Sequence, residues 1–459
     1  MLNVSIRPLK IEDAQISYVW RNDPDVWEFT GSRPENEITL EIEQQWLRQA
    51  LIDSTSKRFA IINDDRYIGN IQLTNLTDKE AQFHIFIGDK KSWGKGIATL
   101  TTYQLLFYAK ETLQLESIYL IVNKNNKAAI KAYFKNGFKI DDEGDGDQLR
   151  MKIYLQELAS PKVSVFLMVY NHSSYLRACL DGIINQYVDF NIVINVGDDS
   201  SQDSSRIILK EYEERYPGKF KLLLHERNIG AIDNQLSILN LCDGEYVAMC
   251  EGDDYWIDPL KLKKQIDFLE NNPNYQISFT NVNVVYEEGL ESKVSTLVPI
   301  TESREYSGVE ILQTWCAHTS TFVFRNNDGF IKNFEKFYNK YRFSYGDTPL
   351  FLYLLEFGKA YGFTDYTSSY RRHLGGTLSQ KEAIKDGLKY ITYLESINKA
   401  FNNKNYDKIN NNRISAAYLG LLRNKEVKLS DSMKYLFKCI YYDPLLFFKI
   451  IKEKLKSKS

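Results

Sequence analysis

The sequence predicts two α/β domains in tandem followed by a helical extension, and three observations carry that prediction. At 459 residues the chain is longer than one hydrophobic core ordinarily serves. Two stretches, about residues 1–156 and 162–381, each alternate short apolar runs with helical periodicity. From about residue 382 the strand patterns give way to Lys-, Asn- and Tyr-rich segments with helical spacing, which predicts helices over 382–459. The span of about six residues between the α/β blocks reaches at most about 20 Å, so the blocks are expected to be neighbours.

In the first block, Phe59-Ala-Ile-Ile and Tyr67-Ile-Gly-Asn-Ile-Gln-Leu flank Asn63-Asp-Asp-Arg and read as a hairpin. Ala81-Gln-Phe-His-Ile-Phe-Ile alternates as a half-buried strand, and Gly94 and Gly96 lead into a helix through about residue 112. Ser117-Ile-Tyr-Leu-Ile-Val is a further strand. An amphipathic helix follows over 127–136, and Gly137 closes it as a left-handed cap.

The second block opens on Val163-Ser-Val-Phe-Leu-Met-Val-Tyr, the continuous apolar run of a parallel strand covered on both faces. A helix, a strand over 191–196, a helix over 204–216 and a strand over 221–225 predict a doubly wound sheet. In the tail, Tyr435-Leu-Phe-Lys-Cys-Ile-Tyr-Tyr-Asp-Pro-Leu-Leu-Phe-Phe mixes apolar and aromatic residues with lysine. It either packs on the body or lies in a membrane interface, and Pro444 breaks any long helix there.

Composition narrows the function classes. Hydrophobic content of 43% and charged content of 26% describe a folded protein. A net charge of -2 gives no broad basic footprint, so no nucleic-acid partner is expected. Cys179, Cys242, Cys250, Cys316 and Cys439 show no paired spacing, which favours a reducing, cytoplasmic compartment over a disulfide framework. The amino terminus lacks the pattern of a signal peptide, and no apolar stretch is long enough to span a membrane. The expectation is a soluble protein, peripheral at most on the cytoplasmic face of a membrane.

Acidic strand ends carry the chemistry of the second block. The apolar run Tyr246-Val-Ala-Met-Cys ends in Glu251, Gly252, Asp253 and Asp254. Adjacent acids repel unless a cation or hydrogen-bond donors neutralise them, and a hard divalent metal holding phosphate oxygens does so. Asp198 and Asp199 follow the 191–196 strand. Alone they make a turn and helix cap, but beside a second acidic strand end they mark the crevice where open α/β sheets bind ligands. Asn171-His172-Ser173 adds a polar lip. Asp347, ahead of the apolar run 350–357, is either a helix N-cap or a catalytic carboxylate.

These segments resemble family 2 inverting glycosyltransferases of the GT-A fold, through most of residues 160–380. Four ordered motifs carry the resemblance: Val163 to His172, Val196-Gly-Asp-Asp-Ser-Ser-Gln-Asp-Ser, Asn228-Ile-Gly-Ala with Asn234 beyond it, and Glu251-Gly-Asp-Asp. The resemblance implies a nucleotide-diphosphate sugar donor bound by Tyr170, Asn171, Asp198, Asp199, Asn228 and Asp253. Asp199 would meet the base and Asp253 the ribose or phosphate. A divalent cation, Mn²⁺ or Mg²⁺, would be held by Asp254. Asp347, in Tyr345-Gly-Asp-Thr-Pro-Leu, stands where the family places its base. Tyr370-Arg-Arg-His373 resembles a late loop in which His373 completes the metal shell or contacts phosphate. Cys316-Ala-His-Thr-Ser-Thr resembles the acceptor-side strand, which makes His318 and Thr319 acceptor candidates.

In the first block, small residues in Lys91-Ser-Trp-Gly-Lys-Gly-Ile-Ala98 let backbone N–H groups approach a diphosphate at a helix amino terminus. Glycine in a strand-to-helix turn explains the same pattern by itself. With Asn126-Lys-Ala-Ala-Ile-Lys-Ala-Tyr133-Phe-Lys-Asn-Gly137-Phe138 the loop resembles GNAT acetyltransferases, across almost all of residues 1–155; Lys91 replaces the usual Arg or Gln. Ile6-Arg-Pro-Leu and Trp20-Arg-Asn-Asp-Pro also look familial. The resemblance implies that Lys91, Trp93, Gly94, Lys95, Gly96, Ile97 and Ala98 cradle acetyl-CoA, that Asn126 meets the cofactor arm, and that Tyr133 protonates the leaving thiolate. His84 or Glu80 relays the amine proton.

Together the two resemblances imply a bifunctional enzyme of surface polysaccharide or glycan assembly. One domain acetylates an amine, such as an amino sugar, and the other transfers a sugar to a glycan or lipid-linked acceptor. The alternatives are an inactive GNAT-like binding module, acetylation of a protein amine, or a nucleotidyltransferase or sugar-binding second domain.

Overall fold

The computed structural model describes residues 2–29, 35–144, 146–287, 297–327, 329–373, 383–424 and 427–445. The chain divides into two compact units, residues 1–228 with 241–246 and residues 229–240 with 247–459.

In the first unit a seven-stranded sheet runs in the order Val4–Pro8, Lys57–Asn63, Arg66–Thr74, Glu80–Ile87, Ser117–Asn123, Gln148–Tyr154, Lys139–Asp142. The expected hairpin forms, and Asp64 and Asp65 take the positive φ values, 47° and 60°, that a tight two-residue turn requires. Glu80–Ile87 and Ser117–Asn123 are the parallel pair, and they pair only from Glu80↔Ser117 to Gln82↔Tyr119. Beyond Gln82 the two strands part, opening a cleft in mid-sheet. The helix Ile97–Glu111 and the strands' apolar residues, among them Ile71, Phe83, Leu105 and Ile118, form one core. Gly137 ends the helix Lys127–Lys135 at φ 87°, as expected from its position.

The same unit contains a parallel three-stranded stretch in the order Phe220–Leu224, Ile192–Asp198, Val163–Val169. It is joined to the seven-stranded layer by specific contacts. Leu2 bridges Val188, the Gln104 amide donates to Pro217 O at 2.6 Å, and Tyr103 Oη donates to Ala159 O at 3.1 Å. Val193 belongs to the same apolar cluster as Phe83 and Leu105.

In the second unit the strand order is Tyr246–Glu251, Val323–Arg325, Tyr275–Tyr286, Lys359–Arg372, Tyr255–Trp256. Two features differ from the sequence expectation. Tyr370, Arg371 and Arg372 lie within the long strand Lys359–Arg372 rather than in a loop. The helix expected after Asp347 begins on it, as Asp347–Leu354 with Gly346 at the cap position, so Asp347 is not an N-cap. Ladder bonds to Tyr275–Tyr286 extend the first element. Thr348 N–H donating to Asp347 Oδ1 at 2.8 Å opens the second.

Ala383–Phe401, Lys404–Leu422 and Leu429–Tyr442 are the expected helices of the extension. Leu374 and the two glycines after it lie outside the described residues. All five cysteines are buried, and none forms a disulfide among the described residues. No helix of the described residues is long and apolar enough to cross a membrane.

Candidate active sites

The acetyl-CoA candidates gather at one end of the first sheet. Asp89 accepts from Lys91 N–H and Ser92 Oγ, which fixes a short turn, and Trp93 Nε1 donates to Ile87 O at 2.7 Å. Gly94 and Gly96 then adopt φ of 72° and 85°, and a Cβ at either would meet nothing within 4 Å. The helix Ile97–Glu111 starts there with no side chain capping it. An uncapped amino terminus of a fifteen-residue helix, behind an open glycine loop, is built to receive an anion. The parting of Glu80–Ile87 from Ser117–Asn123 beside it leaves Phe83–Ile87 without a ladder partner on that edge, where an extended, amide-bearing arm can pair.

Tyr133 lies between the rings of Phe83 and Phe138 and is 7% exposed. Burial pushes its phenol far above the ordinary value, so it stays protonated and able to donate. Asn126 Oδ1 caps Lys127–Lys135 by accepting from Ala129 N–H at 3.1 Å. Of the two relay candidates, Glu80 is bound to Lys152 at 2.5 Å, which holds its carboxyl below the usual range. His84 is bonded to Thr74 Oγ1 at 2.8 Å, and burial lowers its pKa, so it is a neutral imidazole at pH 7.

Further along the first unit, two loops are sewn together at the carboxyl ends of Val163–Val169 and Ile192–Asp198. Asn171, at φ 55°, donates its N–H to Ser201 Oγ and accepts from Gln202 N–H; Ser173 N–H donates to Asp203. Asp198 is fully buried, and its Oδ1 accepts from Ser201 N–H and from Arg206 Nε at 2.5 Å. That pair makes Asp198 the fixed post of the loop. Asp199, also buried, is next to it, with Asn228 Nδ2 donating to its carbonyl, and Tyr170 is exposed. Arg206, on the helix Ser205–Arg215, was not legible as a site residue because its spacing is that of any helix surface.

In the second unit the Glu251-Gly-Asp-Asp turn joins Tyr246–Glu251 to Tyr255–Trp256. The pairing of Tyr255 with Ser369 lays the end of Lys359–Arg372 alongside it. Arg371 N–H donates to Asp254 Oδ1 at 2.9 Å, and Arg371 Nε donates to Asp253 O. His373 Nε2 is 3.0 Å from Asp253 Oδ2. The imidazole facing Asp254 is that of His318, with Nδ1 at 3.6 Å from Oδ2. Glu251, Asp254 and His318 can each present a ligand atom within 4.8 Å of the others. Thus His318, expected on the acceptor side, stands with the metal candidates, while His373 stands with Asp253. Thr319 is half-buried beside it.

The electrostatics of this cluster suit a cation. Asp254 is 1% exposed, and its Oδ2 has no hydrogen-bond partner. Burial, then the charges of Asp253 and Glu251, raises its pKa well above the usual range. Burial and the charges of Asp253 and Asp347 push Glu251 up to about 8. Burial holds His318 down at about 4, so its ring is neutral and can ligate. Two carboxyls that ionise only at a cost, an orphaned buried oxygen and a neutral imidazole fit a divalent metal. Asp347 has its pKa raised by burial, towards the range useful for a base.

The turn carrying His318 is held from beneath. Trp256 Nε1 and Ser368 Oγ donate to Ser320 O; Lys261 Nζ and Gln265 Nε2 donate to Thr321 O. Lys261 is fully buried, 4.7 Å from the Trp256 ring centre.

Comparison with known proteins divides the chain between residues 139 and 164, not at the boundary of the two compact units. The family model described as an acetyltransferase (GNAT) domain matches residues 3–139, and that of glycosyl transferase family 2 matches residues 164–333. The acetyltransferase PseH of Campylobacter jejuni is 30% identical over 135 residues, which cover 29% of this chain and 82% of PseH. The chain belongs to the GNAT family through its first domain, and a domain matching the family 2 glycosyltransferase model follows it. Uncharacterized protein Rv1520 of Mycobacterium tuberculosis is 37% identical over 168 residues, 37% of this chain. The match spans 48% of that relative, about half its length. Staphylococcus aureus TarS 1–349, in complex with UDP-GlcNAc, superposes with a TM-score of 0.45 and 18% identity, covering 61% of this chain and 81% of that one.

Proposed function

We propose that the protein is a bifunctional transferase of glycan assembly. The family 2 domain moves a sugar from a nucleotide-diphosphate donor to an acceptor hydroxyl with inversion, and the GNAT domain moves an acetyl group from acetyl-CoA to an amine, such as that of an amino sugar. The domain bounds proposed are 1–156, 162–381 and 382–459. The observation that supports the glycosyltransferase reading best is the cluster of half-buried Glu251 with buried Asp254 and His318, Asp254 Oδ2 being orphaned.

Asp254 and His318 would hold the divalent cation, with Glu251 able to join them. When bound, the cation offsets charge developing on the departing nucleoside diphosphate. Asp199, Asn171 and Asn228 take the nucleoside end, and Asp253, oriented by His373, takes ribose or phosphate. Asp347 accepts the acceptor hydroxyl's proton as that oxygen attacks the anomeric carbon and the bond to the diphosphate breaks. In the GNAT domain the amine, deprotonated through His84, attacks the thioester carbonyl. The tetrahedral intermediate expels the thiolate, and Tyr133 protonates it.

A donor screen that detects nucleoside diphosphate release with Mn²⁺ or Mg²⁺ tests the first activity. Asp254→Asn is expected to lose metal-dependent donor binding. Asp347→Asn is expected to bind donor and lose turnover by at least about 100-fold; full turnover would overturn the base assignment. Labelled acetyl-CoA with nucleotide-linked amino sugars tests the second activity. Transfer to a peptide alone would reassign the amine. Unchanged thermal stability in saturating acetyl-CoA would make the domain an inactive module.

A further inference from the structure

The helix Leu429–Tyr442 has two apolar faces, and among the described residues only one of them is covered. On the inner face Tyr435 and Cys439 are buried. Tyr435 and Tyr442 lie against the Tyr418 ring at centroid distances of 5.6 and 6.3 Å, and Ser415 Oγ donates to Cys439 O at 3.0 Å. Tyr442 Oη donates to Glu395 at 2.5 Å. These contacts fix the helix's rotation about its axis, and that rotation turns Met433, Phe437 and Tyr441 outward.

Met433, Phe437 and Tyr441 are spaced i, i+4, i+8, so they form one stripe along the helix. They are 52%, 67% and 76% exposed, and Leu445, just beyond the helix, is 82% exposed. Isolated exposed apolar residues need no explanation, but an aligned row of three large ones, with a fourth just beyond the helix, does.

The charges beside the stripe identify what covers it. Lys434 and Lys438 each follow a stripe residue by one position and so flank it on the same side. Lys438 Nζ lies 5.9 Å from the Tyr441 ring centre, and neither lysine forms an ion pair among the described residues. Residues 428–459 carry eight lysines and three acids, a net charge of +5 in a chain whose total is -2. A second protein surface would have to bury those ammonium groups or find carboxylates for them. A layer with an apolar interior and anionic head groups accepts both the row and its flanking cations without burying charge.

We infer that the outer face of Leu429–Tyr442 docks on an anionic lipid surface, with Met433, Phe437, Tyr441 and Leu445 entering the acyl boundary and Lys434 and Lys438 at the head groups. The inference extends the glycosyltransferase reading to where the enzyme works, and it stands whether or not that reading does.

Cosedimentation of the full chain with vesicles tests it, comparing phosphatidylcholine alone with phosphatidylcholine containing phosphatidylglycerol. Binding is expected only with the anionic lipid, and it should weaken as salt rises. Lys434→Gln with Lys438→Gln is expected to weaken partitioning about 25-fold, about fivefold per lysine. Phe437→Ser with Tyr441→Ser, at positions exposed enough to leave the fold intact by circular dichroism, should weaken it at least about tenfold. Equal binding to both vesicle types, or no binding to either, would overturn the inference. So would a concentration-dependent dimer in sedimentation velocity that Phe437→Ser dissolves.

Discussion

Replacing Lys261 with methionine tests the energetics of the second unit most directly. Burial lowers the pKa of this lysine from 10.5 to about 7, and its residue is 0% exposed. At about 1.4 kcal/mol per pH unit, keeping the ammonium buried costs the folded protein about 5 kcal/mol at any pH below 7. Between about 7 and 10.5 the folded state has released this proton while the unfolded chain still holds it. Stability therefore rises with pH across that window, and the gain is lost as pH falls from about 10.5 to about 7. Methionine has a similar length and no charge, so Lys261→Met removes this lysine's share of the slope. It forfeits the bonds to Gln265 Oε1 at 2.7 Å and Thr321 O at 3.3 Å, together worth about 1–3 kcal/mol. The variant is expected to be about 2–4 kcal/mol more stable than the parent at pH 7 and no more stable at pH 10. Equilibrium unfolding in urea from pH 6 to pH 10, followed by tryptophan fluorescence, measures both curves, since Trp256 lies against Lys261. A slope between pH 7 and 10 as steep in Lys261→Met as in the parent would refute the reasoning.

Two further outcomes follow from the first unit. Tyr133→Phe keeps the ring between Phe83 and Phe138 and removes only the proton donor, so acetyl transfer should fall about 100-fold or more, with acetyl-CoA affinity unchanged by calorimetry. Gly218→Ala should destabilise the first unit by about 2 kcal/mol or more in thermal unfolding. Gly218 sits at φ 74°, and its Cβ would fall 2.0 Å from the backbone oxygen of Gln104, an atom that cannot move aside cheaply.

Some of this protein was legible in short stretches of sequence because the physics there is local. The hairpin at Asn63-Asp-Asp-Arg, the left-handed Gly137 and the glycine loop ahead of Ile97 depend on backbone preferences of a few adjacent residues. The apolar strand Tyr246–Glu251 and its acidic end declare themselves in eleven residues. The place of Asp347 in its helix was not legible, because whether a carboxylate caps a helix or begins it depends on backbone angles rather than residue type.

What the sequence by itself determined is the arrangement of two α/β blocks, with a glycine loop ahead of a helix in one and carboxylates at strand ends in the other. The tertiary structure alone decided which imidazole meets which acid. His318 is 64 residues from Asp254 and His373 is 119, so neither spacing says which one arrives. The strand Lys359–Arg372 pairs with Tyr255–Trp256 and carries His373 to Asp253. The Trp256, Lys261, Gln265 and Ser368 side chains clamp the turn that delivers His318 to Asp254. Strand register and buried polar satisfaction are properties of the packed chain, and they are absent from any single segment of it.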